Sequence, residues 1–243
     1  MRLRRPFALG VLVLVLLSIQ ACAPVQPTPN SDATIASETH RDLKAEYAAL
    51  GTRGGKVYTL DPAQSSVRIY AFRGGRAARL GHNHVLAAPR FTGFFFLPNE
   101  GASAGRFDLE FRLDELEIDN PDDRAATGGS FAANVTPAAI AGTREHLLGP
   151  ENFQADQYPF IRVKSLRIAG EAPKFAVEIQ VEIHGRTRTQ WVPLDVRGLD
   201  GQLAVSGAFV LRQSDFGIVP YSVGGGFLSV QDEVVVEFKL SGR

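Results

Sequence analysis

The apolar positions of this chain recur mostly at every second residue, the period of strands that keep one face away from water. The longest such pattern lies in the last quarter. Leu203, Val205, Gly207, Phe209 and Leu211 share one phase, and Leu228, Val230, Val234, Val236, Phe238 and Leu240 share another. Between them Asp215, Gly217, Pro220 and Gly224-Gly225-Gly226 predict a turn-rich connection. A hairpin this apolar is not stable alone in water, so the rest of the chain must supply the strands that complete its sheet.

The upstream pattern does so. Val57 to Asp61 and Ser66 to Arg73 read as short strands parted by Asp61-Pro62. Residues 74–89 read as a long connection carrying Gly81-His82-Asn83-His84. In the next strand, Phe91 to Leu97, the consecutive Phe94, Phe95 and Phe96 predict cover on both faces. From Arg106 to Asp119 the alternation slips. Phe107, Leu109, Phe111 and Leu113 are odd, whereas Leu116 and Ile118 are even, which predicts a β-bulge or sharp bend near Asp114-Glu115. Ile161 and Val163 followed by Leu166 and Ile168 slip in the same way, and paired slips suit a sheet that curls into a barrel.

Thr136-Pro137 marks a helix start, Ile140, Arg144, Leu147 and Leu148 follow at helical spacing, and Gly149-Pro150 ends it. Phe175, Val177, Ile179, Val181 and Ile183 then alternate with Glu178, Gln180 and Glu182. Gly185 turns the chain, Arg188 to Val196 returns it, and Asp200-Gly201 is a hairpin turn. From Val57 onward this gives roughly eight or nine strands, mostly hairpin-linked, as in an antiparallel barrel or sandwich.

The N-terminus breaks the pattern. Three arginines stand in Met1 to Arg5, an apolar run covers Phe7 to Ile19, and Ala21 precedes Cys22. These are the parts of a secretory signal, and the run is short for a transmembrane helix. Leu17 to Cys22 resembles a bacterial lipobox. The resemblance implies that residues 1–21 are removed and that Cys22 is acylated, which anchors the protein to a membrane at roughly 0.8 kcal/mol per buried CH₂. Ala23 stands where an inner-membrane retention signal would carry Asp, so the outer membrane, facing the periplasm, is the expected location. Residues 22–55 then form a linker. Its first part is rich in Pro, Thr and Ser, and His40 to Leu50 is a possible short helix ended by Gly51. The folded domain is 56–243.

Composition narrows the function. The 243 residues are 44% hydrophobic, enough for one sizeable core, and the formal charge is zero, so no basic surface argues for nucleic acid. The single cysteine rules out an internal disulfide and a Cys-based zinc site. No Gly-x-Ser-x-Gly elbow, His-Glu-x-x-His motif or phosphate loop occurs, so the sequence offers no sign of an enzyme and asks for no cofactor.

Three segments resemble the YceI-like family. They are Thr143 to Leu148 with Asn152-Phe153 and Tyr158-Pro159; Val181 to Pro193; and Arg212 to Gly217 with Asp232-Glu233-Val234. The resemblance implies an all-β, lipocalin-like antiparallel barrel of eight strands with one short helix between strands. It also implies an apolar cavity for a polyisoprenoid or fatty-acid-like chain. Tyr70, Phe72, Phe94, Phe96, Phe209, Leu211, Phe216 and Phe227 are then the expected cavity lining. The alternative is that these side chains fill a closed core.

His82 and His84, two apart, would project to one side of an extended segment, and Arg79 to Val85 departs from the family pattern there. They are expected near the cavity mouth with a polar head group. As metal candidates they need a third ligand from His146, Asp232 or Glu233, which gives the second reading of a His-dependent metal or haem/redox protein of the envelope. Asp232 falls on an apolar phase, so either it faces inward, paired or hydrated at the mouth, or a bulge turns it out.

Overall fold

The computed structural model describes residues 41–243. The signal segment 1–21, Cys22 and the linker as far as residue 40 lie outside the described residues. Helix α1 (Leu43–Gly51) starts at Asp42, whose side chain accepts from the Ala45 N–H, and it buries Leu43 and Tyr47. The strands are β1 (Lys56–Thr59), β2 (Ser66–Gly74), β3 (His84–Ala87), β4 (Thr92–Leu97), β5 (Arg106–Arg112), β6 (Glu117–Ile118), β7 (Phe160–Glu171), β8 (Lys174–Ile183), β9 (Arg186–Arg197), β10 (Leu203–Arg212), β11 (Ser222–Val223) and β12 (Leu228–Gly242). Helices α2 (Pro121–Thr127) and α3 (Pro137–Leu148) lie between β6 and β7. Thr136 caps α3 by accepting from the Ala139 N–H, and Pro137 opens it.

The strands run antiparallel in the order β1-β4-β5-β7-β8-β9-β10-β12-β2-β3-β6, with the short β11 paired to β12. Strands β1 and β2 are one wall broken at Pro62–Gln64; β3 and β4 are one wall broken at residues 88–91; β5 and β6 are one wall broken at Leu113–Glu115. With β7, β8, β9, β10 and β12 they make eight walls. The ring is closed by the last strand meeting the first. Strand β12 pairs β2 from Ser229↔Gly74 to Lys239↔Ser66. It then reaches β1, where Leu60 bridges Gly242 and Thr59 exchanges backbone hydrogen bonds of 2.9 and 3.1 Å with Arg243. The architecture is an all-β antiparallel barrel, one of the two forms the pattern left open and the one the family resemblance implied.

Local departures have physical reasons. The long connection expected over 74–89 contains β3, a wall segment between β2 and β6. The slip at 113–115 is a turn of 3₁₀ helix and not a bulge, whereas the slip in β7 is an irregularity between Ser165 and Arg167. Helix α2 was not expected. Asn120 caps it, Pro121 opens it, and Asp122 and Asp123 fill its first turn, all favourable at a helix N-terminus.

Alternation puts one set of side chains inside the barrel, including Val67 and Ile69 of β2, Phe107 and Leu109 of β5, Phe175 to Ile183 of β8, and Val234 to Leu240 of β12. Two glycines on inward phases leave room for large neighbours. A Cβ at Gly93 would lie 2.8 Å from Leu109 Cδ1, and one at Gly207 would lie 2.7 Å from Phe238 Cζ and 2.9 Å from Leu194 Cδ2. Outside the barrel, α1 covers Phe94 and Phe96, with the Tyr47 and Phe94 rings stacked at 5.2 Å. The Tyr47 hydroxyl donates to buried Asp108 at 2.8 Å, which also accepts from Arg41 and Arg106 at 2.9 and 2.8 Å. Burial, and then the Asp108 charge, push the Tyr47 phenol well above its usual pKa.

Replacing Gly207 with Leu forces a side chain against Phe238 and Leu194. We expect Gly207→Leu to lower the unfolding free energy by about 1–3 kcal/mol, measured by urea denaturation, with the m-value unchanged.

Candidate functional site: an apolar tunnel with a polar vestibule

Two neighbouring apolar spaces lie inside the barrel. The upper one measures about 160 Å³ and is lined by side chains of β2, β5, β7, β8, β9, β10 and β12, with Arg212 and Gln213 its polar members. The lower one, about 80 Å³, has a wholly apolar lining that includes Phe95, Phe175, Leu199 and Leu203. Phe107, Leu109, Leu194 and Leu240 border both, so they form the waist between the two. Ala102 and Leu199 line its lower end, and the Tyr58 hydroxyl donates to the Leu199 carbonyl there.

At the upper end the tunnel shares Ala71, Leu86, Leu147 and Gln213 with a third space of about 370 Å³. Most of the wall of this vestibule is apolar, but it carries more polar groups than the tunnel. His84, Thr143, His146, Asn152, Gln213 and Tyr221 line it. The turn-like segment of its rim, Gln213–Phe216, is held by Asp232, which accepts from the Ser214 N–H at 2.8 Å. The His146 and Tyr221 rings meet edge to face at 4.4 Å. Gln213 donates to the Gln231 carbonyl at 2.8 Å. Asn152 is 4% exposed; its Nδ2 reaches the Val219 carbonyl at 3.5 Å and its Oδ1 has no protein partner.

His84 is fixed from behind. Its Nδ1 lies 2.6 Å from Oδ2 of Asp119, a fully buried carboxylate. Asp119 Oδ1 accepts from the Val85 N–H at 3.0 Å and from the buried Arg124 guanidinium of α2. Arg124 also donates to the Asn83 and Ala133 carbonyls. The Asp119 backbone is left-handed, with φ 53, a conformation Asp tolerates better than most residues. It lets the carboxylate turn back onto β3. Burial pushes the Asp119 carboxyl up, but the hydrogen bond and charge of His84, the Val85 N–H and Arg124 outweigh it and hold the group below its usual range. An ionised carboxylate only accepts, so His84 carries a proton at Nδ1 in this bond.

The residues expected at the site separate into groups. Phe209, Leu211 and Phe216 line the tunnel. Tyr70 and Phe72 do not: Val67, Ile69 and Ala71 hold the inward phase of β2, so the other two point out and meet Phe131 edge to face. Phe94 and Phe96 lie under α1, because Gly93 and Phe95 hold the inward phase of β4. Phe227 is exposed at the turn between β11 and β12. Of the histidine pair, His84 lines the vestibule while His82 is exposed and outside its lining, because the extended backbone begins only at His84 and the period of two does not reach back. Asp232 is not in the mouth. A register shift between Val230 and Val234 takes it off the inward phase. Glu233 pairs with Arg212 at 3.3 Å on the outside. Among the described residues no group of three or more His, Cys, Asp or Glu side chains comes together as a metal site.

Asp119 and Arg124 were missed, and Asn152 was singled out only as part of a family segment. The cap signal Asn120-Pro121-Asp122-Asp123 was the available clue to the first two, since it places a helix directly after Asp119. A carboxyl with a depressed folded value contributes stability that is complete above its unfolded value near about 3.9. That contribution is lost as pH falls through the folded value. Asp119→Asn should therefore be less stable than the parent at pH 7, with the difference shrinking toward pH 3. Urea midpoints measured across that range check it.

The chain matches the YceI-like domain over residues 58–241. Its structure is similar to the crystal structure of Burkholderia cenocepacia BcnA, at 18% identity and a TM-score of 0.54, over 75% of this chain and 98% of that one. It also matches the Campylobacter jejuni YCEI protein at 13% identity and a TM-score of 0.40, over 55% of this chain and 70% of that one. Among curated proteins none matches. The domain match spans most of the chain: the chain belongs to the YceI-like family.

Proposed function

We propose that the barrel binds the apolar chain of a polyisoprenoid or fatty-acid-like molecule, for carriage or sequestration, by equilibrium binding without bond chemistry. The observation that carries this reading is the tunnel itself. Two apolar spaces lie inside the barrel with Phe107, Leu109, Leu194 and Leu240 lining both, apolar apart from Arg212 and Gln213, and the upper one shares Ala71, Leu86, Leu147 and Gln213 with the vestibule. An eight-stranded barrel is wide enough for one slim ligand. The ligand gains about 25 cal/mol for each Å² of apolar surface removed from water.

Size refines the reading. A cavity of about 150 Å³ holds one benzene molecule, so the free space as it stands takes roughly ten carbon atoms. The inward side chains of β8 from Phe175 to Ile183 nevertheless span about 27 Å, the length of an extended chain longer than that. A long chain is accommodated by rotation of the aromatic rings that border the space, foremost Phe107 at the waist, with Phe209 and Phe238 above it.

Ala71 lies at the neck shared by tunnel and vestibule. Ala71→Phe should plug it. Native mass spectrometry of protein from the native host should show a hydrocarbon-bearing species in the parent and a bare mass in the variant. A bare parent mass would remove the binding function.

The same reading places the barrel in the cell envelope, on a lipid anchor at Cys22. Its support is the resemblance of residues 17–22 to a lipobox. Labelled palmitate fed to the native host should enter the protein and should not enter Cys22→Ala, judged by autoradiography of the purified chain.

A further inference from the structure

Single exposed apolar side chains are ordinary on a protein surface, whereas a contiguous group of them is not. Among the described residues, two short segments carry most of the large apolar side chains left exposed: Leu80 stands on the first, and Val219, Tyr221, Val223 and Phe227 on the second. Val219 and Leu80, at 73% and 65%, are the most exposed of them all. The two segments are fastened to each other. The Ala77 N–H donates to the Phe227 carbonyl at 2.8 Å, Gly74 pairs with Ser229, and a Cβ at Gly75 would lie 2.6 Å from the Gly226 carbonyl oxygen. Val223 and Phe227 are drawn together around the Gly224-Gly225-Gly226 tip by a 3.1 Å hydrogen bond from the Phe227 N–H to the Val223 carbonyl. Tyr221 also lines the vestibule, so these segments are part of its rim.

The charge on this rim has one sign. Residues 74–84 and 216–230 contain no Asp or Glu. The first segment carries Arg76 and Arg79, both exposed and without an ion-pair partner among the described residues. Exposed Arg112, Arg167 and Arg197 elsewhere on the barrel each face a carboxylate, at 2.8, 2.7 and 2.7 Å. Of the carboxylates near the second segment, Asp232 accepts from Ser214, Glu233 faces Arg212, and Asp215 is exposed just before it. Apolar side chains beside unpaired arginines suit the boundary between lipid head groups and acyl chains. The apolar groups enter it, the guanidinium groups meet phosphates, and a tyrosine sits at head-group level. A protein partner would have to match the apolar groups and the two cations at fixed positions. An anionic bilayer offers both complements over its whole area, and it holds molecules of the kind the tunnel takes.

We propose that the rim formed by residues 75–80 and 219–227 docks the barrel on an anionic lipid surface, with the vestibule turned toward it. An apolar chain then passes between bilayer and tunnel without crossing water. The docking stands on the exposed side chains and their charge; its use in loading rests on the reading of the tunnel given above.

Hydrogen exchange of the full chain, purified from its native host, tests this by mass spectrometry in an excess of vesicles. One set is phosphatidylcholine alone, and the other is phosphatidylcholine and phosphatidylglycerol in equal parts. Rim amides covered by the surface exchange only when the rim lifts away from it. On the mixed vesicles exchange over 75–80 and 219–227 is expected to slow about tenfold relative to phosphatidylcholine alone, with residues 198–202 at the other end of the barrel unchanged. The exposed pairs Arg76→Gln with Arg79→Gln, and Leu80→Ser with Phe227→Ser, are each expected to cut that difference to about twofold or less. No slowing at the rim, or equal slowing at 198–202, overturns the docking. Slowing that follows the number of copies per vesicle, and not the phosphatidylglycerol, overturns it in favour of a second copy of this chain as the occupant. Rim slowing in a chain that carries no hydrocarbon supports the docking and removes the tunnel reading alone. Should either variant pair not fold, the comparison of the two vesicle sets on the parent protein decides.

Discussion

The pairing of the last strand with the first is the constraint on which everything else rests. Strand β12 runs beside β2 and then along the end of β1, down to the exchange of hydrogen bonds between Thr59 and Arg243. Until that ladder forms, the sheet has two edges and no inside. Once it forms, each residue on a strand belongs either to the tunnel or to the outer surface, with parity deciding which. The covering helix and the vestibule are fitted to that ring.

Parity explains what was legible in the sequence. In the C-terminal half the alternation runs for many residues, so the inward phases of β8, β10 and the part of β12 after Val234 could be read directly. In the N-terminal half the strands are short, and Phe94, Phe95 and Phe96 offer no alternation at all. There the phase is decided by features that periodicity does not carry. Gly93 leaves space for Leu60 and Leu109, which makes its phase the inward one and sends Phe94 and Phe96 outward to α1. Tyr70 and Phe72 were misplaced for a related reason. The larger side chains of β2 lie outside against Phe131, and the smaller Val67, Ile69 and Ala71 face the tunnel, since a bulky set there would fill it.

The vestibule was less legible than the barrel because its parts come from separate places. His84 was visible as a chemically notable residue, but its partner Asp119 stands 35 positions away and is brought to it by a strand pair and a left-handed backbone. Asn152 and Tyr221 join from loops after α3 and before β11, where no periodic signal exists. Asp232 was visible for the right chemical reason, a carboxylate on an apolar phase, and the bulge in β12 resolves the conflict by turning it to Ser214. Isolated polar residues in a strand pattern thus marked positions of interest. Their partners required the fold.

The three broken walls all lie in the first half of the chain, whereas β7, β8, β9, β10 and β12 run for 12, 10, 12, 10 and 15 residues. This gives the barrel a mechanical polarity. A long ladder shares strain over many hydrogen bonds, while a wall interrupted by a turn bends at the interruption. The interruptions at Pro62–Gln64, residues 88–91 and Leu113–Glu115 fall side by side on one arc of the ring, and the longer ladders make up the other arc.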